Sequence, residues 1–147
     1  MRFPGSTAKA FTLIELLIVA AITGLLASVA TAAYLNHVND ARTSKVVAHY
    51  SQAQKYIGAR FLRARDEAAA GAAVPLPSSA VDWVQELNPS GDLAPGGGNA
   101  YVAGTGDPIT GAVGVQSSRN LATGNAQVIL TRPAYAGLLS NSITIDY

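Results

Sequence analysis

Two successive patterns of apolar residues organise the first half of this chain. From Phe11 to Ala33 nearly every side chain is apolar; Glu15 is the single charge, and Thr12, Thr23, Ser28 and Thr31 are the other polar groups. Farther on, Val46, Tyr50, Ala53, Ile57, Phe61, Ala64 and Ala68 recur at steps of three and four, the mark of an amphipathic helix buried on one face. Lys45, Gln52, Lys55, Arg63 and Asp66 fall on the opposite surface. No Pro interrupts the interval from Phe11 to Val74, so both patterns are predicted to share one helix from near Phe11 to about Ala70. Gly71 and the Pro75-Leu76-Pro77 segment end it.

The second half has shorter elements. Ser78 or Ser79 is placed to cap a helix over Ala80 to Leu87, with Trp83 and Leu87 four apart on its inner face. Asn88-Pro89-Ser90-Gly91 stops that helix, and Pro95 with Gly96-Gly97-Gly98-Asn99 reads as a loop. Strands are expected at Ala100 to Ala103, Ala112 to Gln116, Ala126 to Thr131 and Ser142 to Asp146, separated by Gly104-Thr105-Gly106-Asp107-Pro108 and Thr123-Gly124-Asn125. The expected fold class is α+β: one long N-terminal helix packed against a small antiparallel sheet of three or four strands.

The apolar run is long enough to cross a hydrocarbon core of about 30 Å. Arg2 and Lys9 precede it, while Asp40 and Arg42 follow it, which places the first residues in the cytoplasm and the bulk of the chain outside. A cleavable secretory signal shares the basic start, but the run exceeds a usual signal core, and a discarded segment has no need of Glu15. A carboxylate at bilayer depth is costly enough to be read as functional, with a partner to be found.

The segment Lys9-Ala10-Phe11-Thr12-Leu13-Ile14-Glu15-Leu16-Leu17-Ile18-Val19, continuing to Ala27, resembles the class III signal and helix start of type IV pilins and type II secretion pseudopilins. The resemblance covers about the first quarter of the chain. It implies the pilin fold, and a leader, Met1 to Ala10, removed by a membrane prepilin peptidase between Ala10 and Phe11. Phe11 would become an N-methylated amino terminus, and Glu15 the fifth mature residue, the position that supports assembly. The charge balance follows from the residues: a Phe11 ammonium buried in a filament core is as costly as a lone carboxylate, and the Glu15 of a neighbouring subunit cancels it. Such a pair fixes axial register more surely than it adds stability.

Two positions depart from the family pattern. Residue 10 is Ala, where Gly is usual before the cut; residue 32 is Ala, where many pilins carry a helix-breaking Pro. Local melting of the helix in the filament, which that Pro supports in the family, would here fall on Gly24, which costs about 1 kcal/mol relative to Ala in a helix.

The remaining composition narrows the reading. With 147 residues, 49% of them hydrophobic, one small domain beyond the apolar segment is the natural count. The organisation expected is a leader at 1–10, a membrane or filament-core half-helix at 11–33, an amphipathic half-helix at 34–70 and a globular head at 71–147. Cys is absent, so the head is held without the disulfide that closes many pilins. Arg42, Lys45, Lys55, Arg60, Arg63 and Arg65 gather on the helix; Asp82, Glu86, Asp92, Asp107 and Asp146 lie in the head with Arg119 and Arg132. Basic helix surfaces would then meet acidic head surfaces of neighbouring subunits; the plainer reading, of equal standing, is a solvated face with local pairs such as Arg63 to Glu67.

Other chemistry finds little support. His37 and His49 are too far apart on one helix to share a metal, and a surface or subunit-contact position is expected for both. Gly96-Gly97-Gly98 lacks the Lys-Ser/Thr end of a phosphate loop. No triad is positioned; Asp92, Asp107 and Asp146 would meet only through folding. The expectation is no enzyme, no cofactor and no metal. Nucleic acid is a weaker alternative partner, because a net charge of +1 lacks a strong electrostatic footprint.

The function expected is a structural subunit of a type IV pilus. It would reside in the inner membrane as a single-pass protein with its head outside the cytoplasm, then enter an extracellular helical homopolymer through the pilus assembly machinery. Adhesion, twitching motility or DNA uptake would be properties of that filament. The alternatives are a pseudopilin of a type II secretion system and a bitopic membrane protein whose head binds a ligand without polymerising.

Overall fold

A computed structural model describes residues 11–72, 75–119 and 126–147. Helix α1 runs unbroken over Leu13–Ala69 and helix α2 over Ala80–Leu87; the strands are β1 (Tyr101–Ala103), β2 (Val113–Arg119), β3 (Ala126–Arg132) and β4 (Asn141–Asp146). Two units divide the chain, one ending at Val38 and the other running Asn39–Tyr147. The expected leader at 1–10 and the Thr123-Gly124-Asn125 turn lie outside the described residues.

The C-terminal half of α1 packs through its periodic stripe. Val46, Ala53 and Ile57 are fully buried and Tyr50, Phe61 and Ala64 nearly so, whereas Ala68 is exposed. Burying each larger member contributes about 1.5–3 kcal/mol. Against this stripe lie Val113 and Val115 of β2, Val128 and Leu130 of β3, Tyr101 of β1, and Trp83 and Leu87 of α2. Phe61 meets Trp83 edge-on with ring centroids 5.6 Å apart.

Local chemistry sets both helix ends as the sequence implies. At the end of α1, Ala72 N–H donates to Glu67 O (2.8 Å) and Gly71 N–H to Ala68 O (3.0 Å), with Gly71 at φ +81°; this is the paired C-terminal closure that favours glycine. At α2, Ser79 and Asp82 form a reciprocal capping box. Ser78 adds a bond to the same carboxylate, 3.0 Å.

The sheet order is β1-β2-β3-β4. The pairs β2–β3 and β3–β4 are antiparallel, as expected, but β1 pairs with β2 in parallel, so the sheet is mixed and the antiparallel expectation is corrected at β1. The glycine-rich stretch 104–112 reads as a hairpin turn; instead it folds back and delivers Val113 beside Tyr101. Gly104 N–H donates to Val115 O (2.8 Å) and Asp107 N–H to Ala112 O (3.0 Å), so the link packs onto β2 itself. A Cβ at Gly114 would collide with the backbone of Gly104, Thr105 and Gly106. Only a glycine admits that approach.

Candidate functional site

The site begins where α1 begins. Thr12 and Glu15 stand at the spacing of a capping box, and their geometry is reciprocal: the Glu15 N–H donates to Thr12 Oγ1 (3.3 Å), and Thr12 N–H donates back to Glu15 Oε2 (3.1 Å). The Thr12 hydroxyl also donates to Oε2, 2.8 Å. Two donors therefore converge on one carboxylate oxygen, and among the described residues none reaches Oε1. The first backbone bond of the helix, Leu16 N–H to Thr12 O at 3.3 Å, follows directly.

The surface around this carboxylate is apolar and uncovered. Phe11 is 78% exposed and Leu13 82%, and exposure continues through every residue to His37. This part of α1 meets the length and hydropathy of a membrane-crossing helix, with none of the apolar window buried within the protein. An unpaired apolar surface of that extent marks lipid or protein contact.

Its hydroxyl groups need no outside partner. Thr23 Oγ1 donates to Val19 O (2.8 Å), Ser28 Oγ to Leu25 O (2.8 Å) and Thr31 Oγ1 to Ala27 O (2.8 Å), the back-bonding available to these residues inside helices. The helix runs continuously through Gly24, where an added Cβ would have no neighbour within 4 Å. Of the sequence-expected site residues, Phe11 and Glu15 lie together in the first turn region, Gly24 lies apart in mid-helix, and Ala10 falls outside the described residues.

Sequence reasoning missed Thr12 as the hydrogen-bonding partner of Glu15. The signal was present as Thr12-Leu13-Ile14-Glu15, the pattern of a capping box before an apolar run. It also misplaced His49. That ring is 6% exposed, with Nδ1 buried and unpaired among the described residues, and it packs against Tyr101 with centroids 5.8 Å apart. The Tyr101 hydroxyl donates to His49 O at 3.0 Å. Burial, then the nearby Lys45 charge, holds the His49 pKa below its ordinary value, and Asp92 partly opposes this. Burial likewise pushes the Tyr101 hydroxyl up to about 12. His37, as expected, is exposed.

The head carries ion pairing but no assembled reaction centre among the described residues. Arg60 Nε lies 3.6 Å from Glu86 and its guanidinium donates to Pro75 O at 3.0 Å, which ties the segment before α2 to α1. Of the local pairs considered for a solvated helix face, Arg63–Glu67 does not form among the described residues. Asp92, Asp107 and Asp146 stay in separate loops and strands, and no group of three potential metal ligands gathers among the described residues.

No curated protein and no solved structure matches the chain. A family pattern described as the prokaryotic N-terminal methylation motif matches residues 5–31. That span contains Phe11, the Thr12–Glu15 box and most of the exposed apolar surface. The motif implies processing by prepilin peptidase, followed by assembly for a pilus or for secretion, and the apolar helix fits membrane anchoring of the precursor. The chain therefore carries the N-terminal methylation motif, similar to the class III signal of type IV pilin and pseudopilin precursors, at the start of a long apolar helix.

Proposed function

We propose that this chain is the structural subunit of a type IV pilus. A prepilin peptidase removes residues 1–10 by cutting between Ala10 and Phe11, Phe11 is N-methylated, and the mature subunit waits in the inner membrane with its head outside the cytoplasm. The apolar half of α1 then leaves lipid for the core of a helical homopolymer. The observation that carries the reading is the exposed apolar segment whose one carboxylate sits at the helix start, four residues beyond the new terminus.

Glu15 supplies the specific contact. Thr12 holds Oε2 from within the same chain, and the Phe11 ammonium of a neighbouring subunit pairs with the carboxylate through Oε1. Apolar packing is non-directional; the charge pair selects one axial register. Gly24, with no packing neighbour around its Cβ position, is the position at which the helix yields if the filament requires local melting.

Microscopy of sheared cell-surface material tests the proposal. Long fibres that contain this chain are expected. Their absence, together with loss of protein secretion on deletion, would replace the pilus by a secretion pseudopilin, which shares the same processing. A mass spectrum of the mature chain should begin at a methylated Phe11.

A further inference from the structure

We propose that neighbouring subunits join through an isoleucine knob on the head of one copy seated in a groove on the outer face of α1 of the next. The inference rests on the reading of the chain as a self-assembling subunit and names one of its contacts.

The knob is Ile109, in the link between β1 and β2. It is 83% exposed, yet the loop that carries it is firmly built. Asp107 Oδ1 accepts from the Ile109 N–H (2.9 Å) and Oδ2 from the Thr110 hydroxyl (2.7 Å). Gly111 N–H donates to Asp107 O (2.9 Å), and Gly96 N–H donates to Thr110 O (2.8 Å) from a second loop. An apolar side chain fixed in water by this many bonds is pre-organised, so little ordering entropy opposes its burial by a partner.

The groove lies on the side of α1 turned away from the sheet. It has a volume of about 490 Å³ and is lined by Ser51, Gln54, Lys55, Gly58, Ala59 and Leu62. Gly58 and Ala59 make its floor shallow in side-chain atoms, and Leu62, 61% exposed, makes an apolar wall. Nothing within 4 Å would meet a Cβ at Gly58.

Charge matches the two surfaces to each other. Asp107 stands two residues before the knob, held in its ionised form by the Thr110 hydroxyl and the Ile109 N–H. Lys55 lines the groove, and Arg63 lies one turn beyond Ala59 on the same exposed flank. An acid-flanked apolar knob therefore faces a base-flanked apolar groove, and such complementarity fixes the orientation of partners more than it adds affinity. The two patches differ, so the contact is heterologous and propagates without closing unless the rotation completes a ring. A second copy of this chain is the occupant that both patches satisfy together.

The absence of native Cys permits a direct test. Filaments of an Ile109→Cys, Ala59→Cys double variant, oxidised and run on a non-reducing gel, should give a ladder extending beyond dimers, whereas either single variant should stop at dimers. Filaments that form without a ladder overturn this contact and leave the pilus reading intact; no filaments from the unmodified chain overturn the pilus reading and this contact with it. A double-mutant cycle keeps the test independent of disulfide geometry. Ile109→Ala, which removes the knob, and Leu62→Ala, which removes the groove's apolar wall, should each lower filament yield about tenfold, and their combination should cost little more than either alone. Unchanged yield in both single variants, or a fully additive loss in the pair, overturns the proposal. Fluorescence of Trp83, the one Trp and a fully buried one, reports that each head is folded.

Discussion

Replacing Glu15 by Gln separates two jobs that one carboxylate holds. Within its own chain Glu15 closes the capping box with Thr12; between chains it is proposed to neutralise the Phe11 ammonium. Gln retains an acceptor for the Thr12 N–H and hydroxyl and is itself a capping-box residue, so helix content and membrane insertion should stay at the level of the unmodified chain. The charge is gone, however. Removing one partner of a buried ion pair strands the other, and the penalty corresponds to about a hundredfold to a thousandfold in the equilibrium for adding a subunit. Thr12→Ala is the mirror perturbation. It deletes the two bonds that involve the hydroxyl, leaves the carboxylate, and costs about 1 kcal/mol of helix stability, the usual value of an N-cap threonine. The assay is a paired one: membrane-fraction immunoblot for the subunit pool and sheared-surface yield for filaments. Glu15→Gln should give a full pool and almost no filament, and Thr12→Ala a full pool with filament yield reduced a fewfold at most. Wild-type filament yield from Glu15→Gln, or equal loss in both variants, would refute the charge role and leave Glu15 as a cap alone.

The head offers two further tests by denaturation of the full chain in detergent, followed through Trp83. The folded pKa of His49 lies below its ordinary value, so above about pH 6.5 the residue is neutral in both states and its burial goes unopposed. As pH falls through that value the unfolded chain takes up the proton first, and stability drops until the folded residue titrates too. Between pH 7.5 and 5.5 the midpoint should fall for the unmodified chain and stay flatter for His49→Phe, which keeps the contact with Tyr101; parallel slopes would sink the assignment. Asp82 and Asp107, whose pKa values are lowered by hydrogen bonds from Ser79 and Thr110 respectively, lose stability only at lower pH and stay outside this window. Gly114→Ala drives a methyl into the 104–106 backbone, and overpacking of that kind costs about 1–3 kcal/mol; an unchanged midpoint would show that the link can move aside.

The long helix was readable because its two patterns need no knowledge of the partner surface. Steps of three and four place Val46, Tyr50, Ala53, Ile57, Phe61 and Ala64 on one face whatever covers them, and the structure buries all six. Ala68 keeps the spacing and is exposed, since periodicity assigns a face without saying how far the partner extends. His49 lies on the same face, three residues beyond Val46 and four before Ala53; its polarity suggested solvent where its position indicated the core. The parallel course of β1 was hidden for another reason. Turn residues at 104–111 announce that the chain reverses, but not how often, and two reversals restore the original direction.

What the motif makes legible also explains why so little of the head was needed to recognise it. In the proposed pilus subunit, the apolar half of α1 is covered in turn by two different environments, acyl chains before assembly and neighbouring helices after it. Intrahelical bonds from Thr23, Ser28 and Thr31 leave those hydroxyls satisfied in both, so that transfer from lipid to protein breaks no polar contact along this length. A surface so uniform cannot distinguish one axial position from the next, because each slip of a turn buries nearly the same area. Specificity has to come from a group that tolerates only one partner. Glu15 is the sole charge in the segment, and Thr12 fixes its orientation while leaving Oε1 free of donors among the described residues. In that proposed role, one oriented charge on a non-directional surface is enough to turn apolar adhesion into a register.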